Sequence, residues 1–133
     1  MIRINYLIPA AVIGACVIGC GVIAPIPGQQ DPYSASQIHF ADSSLAREAP
    51  VGAPRATRDP SGILFVTVPI RAATDTKLYV DYRVTWFDAN HEVIFQTSWM
   101  SKTLEPNVPD QISVNSTNNR AADFQIDFRL ADQ

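Results

Sequence analysis

The chain has 133 residues, of which 47% are hydrophobic and 17% charged, with a formal net charge of −3; that is one domain or one domain with an appendage, too apolar to be disordered and without a collagen-like repeat. A pI near 5.1 removes the basic footprint of a nucleic-acid binder, so no nucleic-acid partner is expected. Both cysteines, Cys16 and Cys20, lie in the first 20 residues, which leaves the body without a disulfide framework or a thiolate metal site.

Arg3 is the single charge before Asp31, and Tyr6 to Ile26 is an uncharged, mostly apolar run. A short positive start followed by such a run is the layout of a bacterial export signal. The run reaches Val17-Ile18-Gly19-Cys20, which resembles a lipobox: an aliphatic residue at −3, a small residue at −1, then the cysteine. The peptidase pocket needs the small residue beside the scissile bond, and the free thiol of Cys20 carries the diacylglycerol. Ile13-Gly14-Ala15-Cys16 fits the same pattern and is the alternative lipidation site. An uncleaved membrane helix is a further alternative, because a span needs roughly 20 residues. Pro9, Gly14, Gly19 and Gly21 weaken such a helix. Each buried CH₂ contributes about 0.8 kcal/mol, and two or more acyl chains (palmitate among them) anchor stably. The expectation is therefore a lipoprotein of the bacterial cell envelope, held at the membrane by its lipid. Gly21 replaces the Asp that retains enteric lipoproteins in the inner membrane, which favours the periplasmic face of the outer membrane.

Residues 21–36, GVIAPIPGQQDPYSAS, read as an extended tether through Pro25, Pro27, Pro32 and Gly28. Alternatively Val22, Ile23 and Ile26 lie on the membrane surface. A first strand is expected over Ile38 to Ala41. Ser43 to Ala49 can form a helical turn capped by Ser43 or Ser44. Loop and a short edge strand are expected over the rest of residues 42–61.

From Gly62 onward the hydrophobic period is two. Leu64, Val66, Val68 and Ile70 share one strand face. Leu78, Val80, Tyr82, Val84 and Trp86 share another, with Asp81, Arg83 and Thr85 opposite. Val93-Ile94-Phe95 opens a strand predicted to run to about Met100. Ile112 and Val114 mark a shorter strand, and Phe124, Ile126, Phe128 and Leu130 alternate with Asp123, Gln125, Asp127 and Arg129. Turns are expected at Asp88–His91, Glu105–Asp110 and Asn115–Arg120; Asn, Asp and Pro supply them, since no glycine follows Gly62. Asn115-Ser116-Thr117 matches a glycosylation sequon but reads as a turn beside a bacterial leader. Pro69 cannot donate to a ladder, so its strand is predicted to be an edge or to bulge there. Six or seven short strands with regular turns predict an all-β fold, a small antiparallel, immunoglobulin-like β-sandwich. Trp86, Phe124 and Phe128 are expected to dominate its core. The organisation is a signal peptide over 1–19, lipidated Cys20 and tether over 20–36, and the sandwich over 37–133.

Chemistry is sparse. His39 falls on an outer face and His91 in a turn, with no H-x-x-x-H or H-E-x-x-H spacing, so no metal site is expected. Asp81, Asp123 and Asp127 read as solvated strand-face charges rather than a paired acid and base. No phosphate loop can form without glycines, no cofactor is implied, and the chain reads as a non-enzyme. Asp88 is expected to cap its turn. Arg83 is a candidate recognition residue, or it pairs with Asp81, Asp123 or Asp127. Parity with Val93, Phe95 and Thr97 places Trp99 inward; a bulge would instead turn Trp99 and Met100 outward as a contact patch. Tyr79 and Phe87 share the outer face of Asp81 and Arg83.

Tyr82-Arg83-x-x-Trp86-Phe87-Asp88, Trp99 about a dozen residues on, and Ala122-Asp123-Phe124 before an alternating strand resemble the YcfL-type family of bacterial periplasmic lipoproteins. The resemblance covers about 50 residues closely and about 90 loosely, from Leu78 to Leu130 at its best, and the lipobox at Cys20 agrees with it. Where the family carries Gly after the Asp turn, this chain has Asn90-His91; where it has Pro-Gly, this chain has Pro106-Asn107. The resemblance implies a small envelope β-sandwich and defines no activity. Three functions follow: a module for contact with an envelope protein, a ligand- or glycan-binding module floored by Tyr79, Phe87 or Trp99, and an envelope enzyme relying on His39 and His91, the least supported of the three.

Overall fold

The computed structural model of the chain describes residues 37–132. The leader, Cys16, Cys20 and the tether lie outside the described residues.

Strand β1 (Ile38–Phe40) leads into a short helix, α1 (Ser43–Glu48). The helix cap is Asp42, whose carboxylate accepts from the Ser44 amide at 2.8 Å; neither Ser43 nor Ser44 is the cap. Asp and Ser cap equally well, and here the chain turns into the helix one residue earlier. Leu45 anchors the helix by complete burial. Seven further strands follow: β2 (Arg55–Arg58), β3 (Leu64–Ile70), β4 (Leu78–Phe87), β5 (Val93–Gln96), β6 (Met100–Leu104), β7 (Asp110–Asn115) and β8 (Asp123–Leu130).

They form two sheets. One has the order β1-β8-β4-β5, with β6 following β5 along the same side of β4; the other is β2-β3-β7. The alternating apolar residues of β3, β4 and β8 share one core, with Val68, Val80, Val84 and Ile126 fully buried. Trp86 and Phe124 pack at 6.3 Å between ring centroids, and Phe128 stacks on Phe40 at 5.5 Å. The sandwich-like β fold is thus the one the period of two predicts.

Three local expectations are corrected. The Val93–Met100 run is two strands, because Thr97, Ser98 and Trp99 stand opposite only Arg83 and Val84 of β4. This one-residue excess is a bulge, and it resets the side-chain alternation. Pro69 is not on an edge, since β3 is the middle strand of its sheet; the bulge offered as the alternative fits instead, because Gly52, Ala53 and Pro54 stand opposite only Val68 and Pro69. Its carbonyl accepts from the Gly52 amide at 2.8 Å, so its nitrogen faces the segment beyond the end of β2 and no ladder donor is lost. Finally, β1 runs parallel to β8, with Ile38 opposite Ile126 and Phe40 opposite Phe128, whereas every other strand pair is antiparallel.

Candidate functional site

The outer face of the larger sheet carries the polar half of the alternating pattern. On β4 this is Tyr79, Asp81, Arg83, Thr85 and Phe87; on β8 it is Asp123, Gln125, Asp127 and Arg129. The register sets Asp81 directly opposite Arg129 and Arg83 directly opposite Asp127. Opposite charges therefore meet across the two strands twice in succession.

Both arginines grip their partners with the same edge. Arg83 donates from Nε and Nη2 to Asp127 Oδ2 at 3.1 and 3.0 Å. Arg129 donates from Nε and Nη2 to Asp81 Oδ2 at 3.2 and 3.0 Å. The Ser101 hydroxyl, one strand over, donates to Asp81 Oδ1 at 2.6 Å, and Gln125 Nε2 donates to Asp127 Oδ1 at 2.8 Å. The Ser101 hydrogen bond foremost, joined by Arg129, holds the Asp81 carboxyl below its ordinary value of 3.8 against the opposing pull of burial.

Trp99 lies over this lattice. The guanidinium carbons of Arg83 and Arg129 sit 4.5 and 4.3 Å from the centre of its ring. The inward reading of Trp99 does not hold. The bulge puts Met100 opposite inward-facing Tyr82 and so leaves Trp99 on the outer side. Met100, half-buried, packs against the core rather than joining the patch. The carboxylates are correspondingly not solvated: the Asp81 side chain is 9% exposed and Asp127 15%, against 32% for Arg83 and 35% for Arg129.

A hollow of about 220 Å³ lies beside Trp99, lined by His39, Arg83, Asp127 and Arg129 among others. His39 is exposed, with Nδ1 3.8 Å from Asp127 Oδ1. A second hollow of about 300 Å³ is lined by Tyr79, Ser101, Lys102, Thr103, Ala131 and Asp132. Tyr79 and Phe87 share the outer face but not one site: eight residues of strand separate them by roughly 26 Å. Of the four contact candidates, the structure thus brings Arg83 and Trp99 together, places Tyr79 at the neighbouring hollow, and sets Phe87 at the far end beside Asp123 and Val93.

Arg129, Asp127 and Asp81 were present in the alternating pattern without being legible as one cluster, because strand parity gives a face and not the register between strands. His91 is an exposed turn residue with φ 62°, in a turn whose Asp88 carboxylate accepts from the Asn90 and Glu92 amides at 2.8 and 3.0 Å. Among the described residues no group of three or more His, Cys, Asp or Glu is placed to hold a metal ion. Among them, too, no helix is long and apolar enough to cross a membrane.

The family of proteins of unknown function designated DUF1425 matches residues 36–130. The chain belongs to the DUF1425 family. That membership is consistent with the resemblance to YcfL-type proteins. The crystal structure of a DUF1425 family member from Shewanella sp. pv-4 superposes with a TM-score of 0.57 at 23% identity, covering 64% of this chain and 80% of that one. Campylobacter jejuni cj0090 superposes with a TM-score of 0.63 at 17% identity, covering 72% of this chain and 99% of that one. At these identities the two structures speak for the fold alone. No curated protein matches the chain.

Proposed function

We propose that this DUF1425 protein is a non-catalytic, lipid-anchored lipoprotein of the bacterial envelope, which presents its sandwich for contact with another envelope protein. The Val17-Ile18-Gly19-Cys20 motif supports the anchor, with the Pro-rich stretch 21–36 as its tether. The observation that carries the contact reading is the Arg83–Trp99–Arg129 stack on an outward sheet face. It is a half-exposed tryptophan and two arginines, residue types enriched at the centres of protein interfaces. The chemistry of the face is ion pairing and stacking, neither of which needs a reacting group.

Metabolic labelling with a radioactive fatty acid tests the anchor. Wild type and Cys16→Ser should take up label and Cys20→Ser should not; label retained in Cys20→Ser would sink the site. A photo-cross-linking residue at Thr103, on the Trp99 face, should trap a discrete adduct in the envelope. The same residue at Ser113, on the smaller sheet, should not. Equal adducts from both positions would remove the larger sheet's outer face as the contact surface.

The second reading is a small-ligand or glycan module, and the hollow beside Trp99 favours it. A shift of tryptophan emission on adding envelope glycans is its signature.

A further inference from the structure

The cations of the described residues divide into two groups. Lys77, Arg83, Lys102, Arg120 and Arg129 each stand beside a carboxylate, and Arg58 donates to the Gly62 and Ala121 carbonyls at 3.2 and 2.7 Å. Arg47 lies close to the Asp42 carboxylate at the cap of its helix. Arg55 and Arg71 remain. Both are exposed, and neither guanidinium has a hydrogen bond or an ion pair among the described residues.

These two belong to the outer face of the smaller sheet. Ala56 on β2 and Val66, Val68 and Ile70 on β3 are buried, so alternation turns Arg55, Phe65, Thr67 and Pro69 outward. It carries Arg71, one residue past the end of β3, to the same side. The face continues across β7, since Arg55 stands opposite Thr67 and Thr67 opposite Ser113. The three strands contain one acid, Asp110. It stands opposite buried Ile70 and is turned toward the larger sheet, where it holds Lys102 at 2.8 Å. The outward positions thus carry cations and no carboxylate. The acids Asp81, Asp123 and Asp127 lie on the outer face of the other sheet, and Asp81 and Asp127 are already met by arginines. Packed sheets are about 10 Å apart. An anion at Arg55 is therefore more than a Debye length, about 8 Å at physiological salt, from those groups. The charge of −3 belongs to the whole chain and not to this surface.

We propose that the outer face of the smaller sheet, through Arg55 and Arg71, lies on an anionic phospholipid surface. This rests on the anchor reading above and gives the anchored body an orientation. Residues 20–36 reach roughly 55 Å at full extension, enough to let either sheet turn toward the bilayer, so charge makes the choice. Each basic residue near an anionic bilayer favours contact about fivefold, and two together about thirtyfold. That is weak for a free protein and sufficient for one already held at the surface. Phe65, exposed at the other end of β3 from Arg71, adds an apolar contact at the headgroup boundary. The Trp99 face then points away from the lipid, toward a protein partner.

The test reads which face approaches the lipid. The full chain with Cys16→Ser and Cys20→Ser is held on vesicles by an N-terminal polyhistidine tag and a nickel-chelating lipid, so its attachment does not depend on Cys20. A thiol-linked fluorophore is placed at Ser113→Cys, on the smaller sheet, or at Thr103→Cys, on the larger one. Quenching by nitroxide-labelled headgroups is then measured. The Ser113 probe should be quenched several-fold more on vesicles containing phosphatidylglycerol than on pure phosphatidylcholine, and the Thr103 probe equally little on both. Arg55→Gln combined with Arg71→Gln should remove the excess, as should high salt. Arg55→Lys combined with Arg71→Lys should retain it, because a bilayer surface responds to charge and not to the planar fork of a guanidinium. Equal quenching at the two positions, or an excess that survives the glutamine pair, would overturn the proposal. So would quenching at Ser113 that ignores lipid charge, and that result would leave the two arginines to an acidic protein. Fatty-acid labelling decides the anchor separately, so the failure of one is distinct from the failure of the other.

Discussion

Two tryptophans of one chain do different work. Trp86 is enclosed between the sheets and packs on Phe124. Trp86→Ala should therefore cost about 3–5 kcal/mol in chemical denaturation, the range for emptying a core aromatic site. Trp99→Ala removes two stacked cations from a half-exposed ring and should cost about 1–2 kcal/mol. Equal losses would contradict the outward placement of Trp99. Asp81 sets an acid limit. Its folded pKa lies below the unfolded one, so its contribution to stability is fully present above the unfolded value near 3.8 and is lost as pH falls through the lower folded value. Melting temperature should drop as the pH goes below about 4, and less steeply in Asp81→Asn or Ser101→Ala. An unchanged acid limb in both variants would show that the Ser101–Asp81–Arg129 chain carries no linked stability.

Among the elements, those with unbroken alternation were legible in the sequence: β3, β4 and β8 occupy their predicted runs, with the alternating apolar residues inward except Leu130, which is exposed at the end of β8. What alternation does not carry is a change of count. One additional residue at Thr97–Trp99 splits a run that reads as continuous, and a tryptophan assigned to the core arrives on the outside. The arginine–carboxylate lattice was half legible for a related reason, since the face followed from parity but the pairing of Arg83 with Asp127 needed the strand register. Pro69 left edge and bulge both open, and the excess residue at 52–54 opposite Val68 and Pro69 selects the bulge. The turns show a compromise of their own. His91 and Asn107 adopt φ of 62° and 57°, a left-handed conformation that costs most residues roughly 1–2 kcal/mol and glycine nothing. These are the turns in which the resemblance implies glycine, at Asn90-His91 and after Pro106. His91→Gly should raise stability by about 0.5–1 kcal/mol, part of the strain relief being offset by glycine's larger unfolded-state entropy. Asn107→Gly should gain less, because Asn tolerates this conformation better. A loss of melting temperature in His91→Gly would mean that its side chain contributes where no contact is seen.

Across the whole molecule, the two sheets are unequal: the larger one carries both ends of the folded region, with β1 laid along β8. Phe40 and Phe128 stack at that seam. Phe40→Ala should lower the unfolding free energy by about 2 kcal/mol, since the ring is partly buried. A null effect would mean that β1 is an ornament on a sheet complete without it. The parallel seam has a mechanical side. Residue 37 is where the stretch leading back to Cys20 joins the folded body, and the three matched pairs that follow lie lengthwise against the final strand. A tug drawn along the strand from that direction loads the three pairs together, as in a glued lap joint, instead of parting them one after another as in a zip. Under the anchor proposed above, the first strand is thus placed where it bears strain first, and through His39 opposite Asp127 that strain reaches the Trp99 face.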